Sequence, residues 1–245
     1  MSQHYIYGLH AVKKKLQLSH EDCLELMCLE NSNQRLQQNI SLAKQKGVRV
    51  VYTSKENLST LAESEKHQGC LMQINAQQSN TVSIKELTQN LKPNSLILVL
   101  DGVQDPHNLG ACLRTADGAG VSAVIVPKDN AVGLTPVVRK VAAGAAETIP
   151  LITVSNLSRS LKELKDAGVW VVGTSGDANI SLYDEKLHGP IALVMGAEGD
   201  GIRRLTAEQC DYLVKLPMRG SVESLNVSVA TGICLYEINR KLHVD

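Results

Sequence analysis

In the first 75 positions, segments whose apolar residues have the spacing of a helix alternate with segments whose apolar residues suit a β-strand. Leu9, Val12 and Leu16 fall on one face of a predicted helix. The apolar run at 24–29 then suits a β-strand. The alternation continues, and it predicts a helix at 36–43 that Gly47 ends, a strand at 48–52, a short helix around 58–61 and a strand at 70–74. This stretch is therefore predicted to form a small α/β unit.

Polar residues interrupt this pattern after Asn75, where Gln, Ser and Asn cluster and a proline follows. One short helix is predicted within the polar stretch, around 84–91. Such a change of composition is typical of a boundary between domains. We therefore predict a first domain at 1–75, a linker at 76–93 and a second domain at 94–245.

The rest of the chain alternates strand and helix signals over a typical domain length. Leu96–Leu100 is a short all-apolar run, which is typical of a strand buried on both faces. After it, the pattern predicts helices at 109–119, 135–146 and 157–167, extended segments at 121–126, 149–154, 169–172, 191–195 and 212–216, a short helix near 205 and a closing helix from 225. This alternation predicts an α/β fold in which a parallel sheet carries helices on both faces.

Composition indicates the kind of core and excludes a disordered chain. Hydrophobic residues make up 43% of the sequence, aromatic residues only 3%, and there is no Phe. The core must therefore consist mainly of Leu, Val, Ile and Ala, the usual content of a buried α/β sheet. The six cysteines form no C-x-x-C pair and no metal-ligand spacing, so they are interpreted as reduced core residues.

The sequence carries no signal for secretion or for a membrane. It has no basic-then-apolar leader, and no apolar run approaches the ~18 residues that span a bilayer. We therefore expect a cytosolic protein. The formal net charge of zero argues against binding nucleic acid by bulk electrostatics alone. A local basic patch is still compatible with RNA binding, and its candidates are Lys13–Lys15, Arg139 and Arg219.

Ligands of open α/β sheets bind beyond the carboxyl ends of the strands, so the loops at those ends are the candidate sites. In the loop after Leu100, Asn108 is placed to cap the next helix, and Arg114 falls beside the apolar face of that helix. A capped helix with a solvated arginine explains the same residues equally well. His107, next to Pro106, is interpreted as a turn residue.

Two glycine-rich loops follow later strands. Gly173–Gly176 offers small residues that let a ligand approach the backbone, although an ordinary tight turn explains it equally well. Three glycines within 196–201 surround Glu198 with a spacing that matches neither a dinucleotide fingerprint nor a phosphate-binding loop. This second loop would hold Glu198 beside a polar ligand, and the alternative is a flexible loop with an exposed carboxylate.

The fourth loop leads from a strand that ends near Pro217 into the closing helix. Ser224 stands where an N-cap belongs, and Asn226 would be a polar residue of the first turn. The unpaired N–H groups of a helix N-terminus suit a carboxylate or a phosphate. Gly232 within the helix costs about 1 kcal/mol against alanine, which indicates a close packing partner. These patterns predict an α/β enzyme with a glycine-lined pocket, and they leave its ligand open.

Three segments, in this order, resemble the signature motifs of the SpoU (TrmH-type) ribose 2′-O-methyltransferases. They are Asn108–Ala116, Leu193–Gly199, and Leu216–Met218 together with Ser224–Ala230. Within that family the chain is most similar to the enzymes that methylate a guanosine of 23S rRNA. Segments 7–12 and 67–69 resemble the ends of the RNA-binding domain of those enzymes, which has an L30e-like fold.

The resemblance implies S-adenosylmethionine as the cofactor, 23S rRNA as the partner, a homodimer with the active site near its interface, and no metal. It also implies that the second domain ties a deep trefoil knot (the SPOUT fold), which general rules of chain topology would not predict. By motif position the implied catalytic set is Asn108, Arg114, Glu198, Ser224 and Asn226. The implied cofactor residues are Gly196, Leu216 and Leu225 through their backbones, with Thr174 and Met218 as neighbours.

The resemblance leaves two roles open for Arg114. Methyl transfer to a hydroxyl requires alignment of the reacting atoms and loss of the hydroxyl proton. Because a guanidinium stays protonated in proteins, we expect Arg114 to donate to the RNA phosphate or to the developing alkoxide, oriented by Glu198 and Asn108. The alternative is a neutral Arg114 that acts as the base.

Three other functions compete with this interpretation. A tRNA ribose methyltransferase of the same family is the nearest. An NAD-dependent oxidoreductase would need G-x-G-x-x-G after an early strand and an acidic residue about 20 positions further on, and neither is present. A ribosome-associated RNA-binding protein without activity would have no reason to keep Arg114, Glu198 and Asn226 together.

Overall fold

The computed structural model of the chain describes residues 4–30, 33–62, 64–75 and 82–243. The chain forms two compact units. The first comprises Met1–Asn80 together with Leu134–Thr148, and the second comprises Thr81–Gly133 together with Ile149–Asp245. Part of the predicted linker, 76–81, lies outside the described residues, and the proposed domain division stays a prediction. The sequence patterns did not indicate that 134–148 belongs with the first unit.

The first unit builds a mixed sheet in the order β1-β4-β2-β3 among the residues described. Strand β4 is antiparallel to β1 and β2, and β2 is parallel to β3. Its elements are β1 (His4–Tyr7), α1 (Leu9–Leu18), β2 (Cys23–Cys28), α2 (Gln34–Gln45), β3 (Arg49–Tyr52), α3 (Lys55–Ala62), β4 (Cys70–Ile74) and α6 (Pro136–Val141), with short 3-10 helices at His20–Asp22 and Ala145–Glu147. The small α/β unit predicted from the pattern is present, and β1 is the strand that the pattern did not predict.

Helices α1 and α2 bury one face each in the core of the first unit. Val12 and Leu16 of α1 and Ile40 of α2 are almost completely buried, as the helical spacing predicts. Lys15 also turns inward, where its Nζ lies 2.6 Å from Asp22 Oδ2 and both side chains are nearly inaccessible. Lys15 is therefore not available to the basic patch that the sequence suggested.

A buried histidine links β4 to its neighbours in the first unit. His67 Nδ1 accepts a hydrogen bond from the Gly69 backbone N–H at 3.1 Å, and its Nε2 lies 3.2 Å from Ser59 Oγ. Burial lowers the pKa of His67 below its ordinary value of 6.5, against an opposing effect of the Glu65 charge. Because a backbone N–H can only donate, Nδ1 must stay unprotonated to keep the first of these bonds.

We expect His67→Ala to lower the free energy of unfolding by about 1–3 kcal/mol near neutral pH, because one buried and one partly buried hydrogen bond are lost. A lowered pKa in the folded state contributes stability above the unfolded pKa of 6.5, and this contribution falls as the pH drops toward the folded pKa. The difference in free energy of unfolding between His67→Ala and the wild type should therefore be smaller at about pH 5 than at about pH 7.5. Denaturant titrations at both pH values measure it, with His10→Ala as the exposed control in the same unit. A difference that widens at low pH would contradict this role of His67.

The second unit builds a sheet of parallel strands in the order β7-β6-β5-β10-β8-β11-β9 among the residues described. Every pairing in it is parallel, as the alternation of strands and helices predicts. Its elements are α4 (Ile84–Gln89), β5 (Leu96–Asp101), α5 (Pro106–Gly118), β6 (Ala123–Pro127), β7 (Leu151–Val154), α7 (Leu157–Asp166), β8 (Trp170–Thr174), β9 (Ile180–Ser181), β10 (Ile191–Gly196), α8 (Arg204–Ala207), β11 (Tyr212–Lys215) and α9 (Val227–Leu242). The predicted α/β class and parallel sheet are confirmed.

Helices cover both faces of this sheet. Ile97 and Val99 of β5 pack in one core cluster with Leu161 of α7. Their neighbours Leu98 and Leu100 are also fully buried, and alternation along a strand turns them to the opposite face. On that side α9 packs against α5 and β10. The all-apolar composition of β5 thus follows from burial on two sides.

The structure corrects three helix boundaries. Asp105 caps α5 by accepting from the His107 backbone N–H, so Asn108 lies inside the helix and is not its cap. Asn226 caps α9, and Ser224 lies before it in the loop. The helix predicted at 135–146 ends at Val141, because the backbone of the following residues takes positive φ values that no α-helix contains.

The cysteines behave as the sequence analysis predicts. All six are unpaired thiols, and only Cys210 is not fully buried. Burial raises the pKa of five thiols well above the ordinary value of 9.0: about 11 for Cys112, and about 12 for Cys23, Cys70, Cys210 and Cys234. These thiols are therefore protonated and poor nucleophiles.

Among the helices of the described residues, none could span a lipid bilayer, because none combines the necessary length with sufficient hydrophobicity.

Candidate active site

Four strand ends of the second unit meet at one edge of the sheet. Strands β5, β10, β8 and β11 are neighbours and parallel, so their carboxyl ends point the same way. Gly196 at the end of β10 is in register with Asp101 at the end of β5. Thr174 ends β8, and Leu216 directly follows β11. The four loops that the sequence analysis singled out therefore begin side by side.

Gly196 lies where the backbone of the following turn leaves no room for a side chain. A Cβ at this position would stand 2.0 Å from the carbonyl carbon of Gly201 and 2.3 Å from the Ile202 nitrogen. The turn is closed by two backbone hydrogen bonds between Ala197 and Gly201, of 3.1 and 3.0 Å. Glu198 sits exposed within this turn. The glycines here thus serve a close approach of backbone to backbone.

The predicted cofactor residues lie at this edge or in the loop that leaves it. Thr174 Oγ1 donates to the Val194 carbonyl at 3.1 Å, which ties the ends of β8 and β10 together. Leu216 and Leu225 are half-buried at the two ends of the loop between β11 and α9. Met218 lies in the same loop and is 37% exposed.

Three of the predicted catalytic residues are joined by hydrogen bonds. Asn226 Nδ2 donates to Asn108 Oδ1 at 3.0 Å and, with longer geometry, to Glu198 Oε2 at 3.5 Å. Asn108 comes from the first turns of α5, Glu198 from the turn after β10, and Asn226 from the N-cap of α9. We call Asn108, Glu198 and Asn226 the polar triad. The structure therefore brings together parts of all three sequence motifs.

Asn226 is held by its own helix. As the N-cap of α9, its Oδ1 accepts from the Ser228 backbone N–H at 3.0 Å and from Ser228 Oγ at 2.6 Å. Such caps are worth about 1 kcal/mol to a helix. Here the cap also fixes the side chain that reaches Asn108 and Glu198.

The other two predicted catalytic residues do not join the triad within one chain. Arg114 lies on α5 six residues after Asn108, which places it about 120° away around the helix. Its side chain is exposed and makes no hydrogen bond or ion pair with any residue that the structure describes. Ser224 is exposed in the loop before α9. Both stay predictions as site residues.

The sequence analysis missed an ion pair that anchors the same edge. Asp101 is completely buried at the end of β5, and its Oδ1 accepts from Arg203 Nε at 2.6 Å. Its Oδ2 accepts from the Arg203 backbone N–H at 3.0 Å. Arg203 follows the turn that carries Glu198, so the pair ties that segment to β5. The sequence signal that could have indicated this ion pair is Asp101, a carboxylate at the end of an otherwise apolar strand.

We expect Arg203→Ala to lower the free energy of unfolding by about 3–5 kcal/mol, because it leaves the buried Asp101 carboxylate without its charged partner. The matched control is the next residue. Arg204 forms an exposed i,i+4 pair with Glu208, and Arg204→Ala should cost no more than about 0.5 kcal/mol. Denaturant unfolding of both variants measures the difference. Equal losses in the two variants would show that the Asp101 pair does not anchor the edge.

Comparison with known protein families covers both units. The SpoU rRNA methylase family model matches residues 95–236. The model for the substrate-binding domain of RNA 2′-O ribose methyltransferases matches residues 5–79. Together they span nearly the whole chain.

Individual relatives agree with the family models over the same length. The chain is 53% identical over 239 residues to the 23S rRNA (guanosine-2′-O-)-methyltransferase RlmB of Haemophilus influenzae, covering 96% of this chain and 97% of that protein. Its fold matches a crystal structure of an RNA 2′-O ribose methyltransferase with a TM-score of 0.82 at 27% identity, over 99% of this chain and 90% of that one. It also matches an AdoMet-bound rRNA methyltransferase from Sinorhizobium meliloti with a TM-score of 0.81 at 25% identity, over 99% and 88%.

Proposed function

The chain belongs to the SpoU rRNA methylase family, and on that premise we propose that it transfers a methyl group from S-adenosylmethionine to the 2′-hydroxyl of a guanosine in 23S rRNA. The full-length relatives that share about half of its residues carry this activity in their names. The observation that carries the proposal is the polar triad, because it joins three distant motifs at the ligand-binding edge of the sheet. A binding protein without activity would not require that convergence.

The cofactor site is proposed at the ends of β8, β10 and β11. The half-buried Leu216 and Leu225 offer apolar surface, and Gly196 contributes only backbone groups to this edge. This combination suits a ligand with a flat base and polar edges, and Thr174 and Met218 are its proposed neighbours. When bound, S-adenosylmethionine supplies an electrophilic methyl group on a sulfonium.

Arg114 is proposed to bind the RNA at the reacting sugar. Its guanidinium carries five N–H donors, and none is engaged by another described residue. A protonated arginine stabilises a phosphate or a developing alkoxide, whereas it is a poor base. We therefore assign it the role of donor.

The basic residues proposed for RNA binding are fewer than the sequence suggested. Arg139 forms an ion pair with Glu147 that is largely withdrawn from solvent. Lys15 is buried against Asp22. Lys13 and Lys14 are exposed on α1 in the first unit, and Arg219 is exposed in the second. We propose that Lys13, Lys14 and Arg219 contact phosphates of the RNA.

A trefoil knot is proposed for the second unit. Strand β10 lies between β5 and β8, and β11 lies between β8 and β9, although both are later in the chain than the strands beside them. This order does not itself require threading, and the proposal of a knot rests on the family to which the chain belongs. Few folds have such a knot, since most chains do not thread loops.

A homodimer is proposed with α9 in its interface. Val229, Ile233 and Tyr236 follow one another at helical spacing on α9 and are all exposed, at 52%, 37% and 55%. An apolar stripe of this kind on a helix is typical of an interaction surface. An interface near α5 and α9 would also suit an Arg114 that has no hydrogen-bond or ion-pair partner among the described residues.

The function is tested with purified protein, labelled S-adenosylmethionine, and either 23S rRNA or tRNA transcripts. We expect label in 2′-O-methylguanosine of the rRNA, as measured by nucleoside mass spectrometry after digestion. Calorimetric titration should show binding of S-adenosylmethionine and none of NAD. Label in tRNA alone would favour the tRNA branch of the family, and cofactor binding without transfer to either RNA would contradict the proposal.

A further inference from the structure

The Asn226 carboxamide has all of its hydrogen-bonding capacity occupied by the protein. An amide side chain has two N–H donors and two lone pairs on its oxygen. In this structure Oδ1 accepts from the backbone N–H and from the Oγ of Ser228, while Nδ2 donates to Asn108 Oδ1 and Glu198 Oε2. Although Asn226 is exposed, it has nothing left with which to hold a substrate.

The hydrogen-bond partners of Asn226 determine which end of its amide is oxygen and which is nitrogen. The Ser228 backbone N–H can only donate, so the Asn226 atom that faces it must be the oxygen. Nδ2 is then on the other side of the amide plane and faces Asn108. Since Nδ2 can only donate, Asn108 must in turn present its own oxygen to Asn226.

Because Asn108 presents its oxygen to Asn226, its Nδ2 points away from the polar triad. No residue within 4–30, 33–62, 64–75 or 82–243 accepts a hydrogen bond from Asn108 Nδ2. Asn108 is only half-buried, and every fully buried side-chain nitrogen or oxygen of those residues has a partner. Asn108 Nδ2 therefore reaches solvent with two N–H donors available.

We propose that Asn226 and Ser228 are positioning residues, and that Asn108 Nδ2 is the donor that contacts an anionic oxygen of the RNA. The proposal rests on the proposed function of the same site. Asn108 lies in the N-terminal turns of α5, where the partial positive charge of the helix end also favours an anion. The oxygen is either a backbone phosphate or the developing 2′-oxyanion, which share this chemistry.

Asn108→Asp tests the donor. The variant keeps an oxygen for Asn226 and nearly the same shape, but it replaces the outward NH₂ with a carboxylate oxygen. We expect kcat/KM for 23S rRNA to fall at least about 100-fold, because a donor to developing or fixed negative charge is lost. The affinity for S-adenosylmethionine and the unfolding temperature should stay unchanged. A fall in kcat would identify the 2′-oxyanion as the partner, and a rise in KM for RNA would identify a phosphate.

Asn179→Asp is the matched control, since Asn179 is exposed between β8 and β9 and gains the same charge. Its kcat/KM should match that of the wild type, which excludes general repulsion of RNA. Wild-type activity in the same assay separates the two claims. An inactive wild type would refute the proposed function and this assignment with it. An active wild type with an equally active Asn108→Asp would refute the assignment alone.

Ser228→Ala tests the positioning role. It removes the hydroxyl that donates to Asn226 at 2.6 Å and keeps the backbone donor. We expect kcat to fall about threefold to tenfold, the effect of one neutral hydrogen bond, with cofactor affinity and unfolding temperature unchanged. Ser228→Thr keeps a hydroxyl and should restore kcat. Loss of stability in Ser228→Ala without loss of kcat would mean that Ser228 only caps the helix.

Discussion

Arg114→Ala is expected to lower turnover at least about 100-fold while leaving the affinity for S-adenosylmethionine nearly unchanged, because the missing donor acts on the RNA and not on the cofactor. The Arg114 side chain makes no hydrogen bond or ion pair with another described residue, so its removal should lower the free energy of unfolding little. Arg114→Lys keeps the charge but loses the planar fork of donors, and it should recover little of the activity.

Single-turnover methylation of 23S rRNA and calorimetric titration with S-adenosylmethionine measure the two parts of this prediction. The control is Arg159→Ala, which removes an arginine from an exposed i,i+4 pair with Glu163 on α7. Surface pairs of this kind contribute little, so activity and stability should both be retained. Should Arg114→Ala lose cofactor binding, Arg114 would belong to the cofactor site and not to the RNA site.

Gly196→Ala is expected to abolish detectable cofactor binding and to lower the free energy of unfolding by about 3 kcal/mol or more. The added Cβ would stand 2.0–2.3 Å from backbone atoms of Gly201 and Ile202, which cannot move aside as a flexible side chain would. Overpacking of this kind typically costs 1–3 kcal/mol, and backbone clashes lie at the upper end. The turn that carries Glu198 would have to shift, and the polar triad with it.

Gly133→Ala provides the control for this substitution. Gly133 has open space at the Cβ position and no positive φ, so alanine should be tolerated there. Denaturant unfolding and calorimetry of both variants measure the contrast. If Gly196→Ala binds S-adenosylmethionine as the wild type does, the cofactor does not use this strand end.

The regular elements follow from local pattern. Leu96–Leu100 predicted a strand buried on both faces, and β5 is that strand. The helix predicted at 157–167 is α7, with its leucines on one buried face. The period of apolar residues along an element indicates which of its faces are buried. Such elements can therefore be predicted without knowing how the rest of the chain folds.

The ends of helices were predicted less well, because several residues near each end can cap. Asp105 and Asn108 both can accept from a first-turn N–H, as can Ser224 and Asn226. Which residue becomes the cap depends on where the chain leaves the sheet. Asp105, directly before Pro106, caps α5, and Asn226, directly before Val227, caps α9. Asn108 therefore lies within α5, and Ser224 lies in the loop before α9.

By itself the sequence determined the α/β class, the parallel sheet, the order of its elements and, through motif resemblance, the family and the candidate residues. Only the tertiary structure decided how those residues meet. Asn226 and Asn108 are 118 positions apart, and Arg203 and Asp101 are 102 apart. Local patterns contain no information on pairs at such separations, since these contacts arise from strand order and register. That Asn226 makes its amide hydrogen bonds within the protein, and that Asn108 Nδ2 makes none with a described residue, follows from that geometry alone.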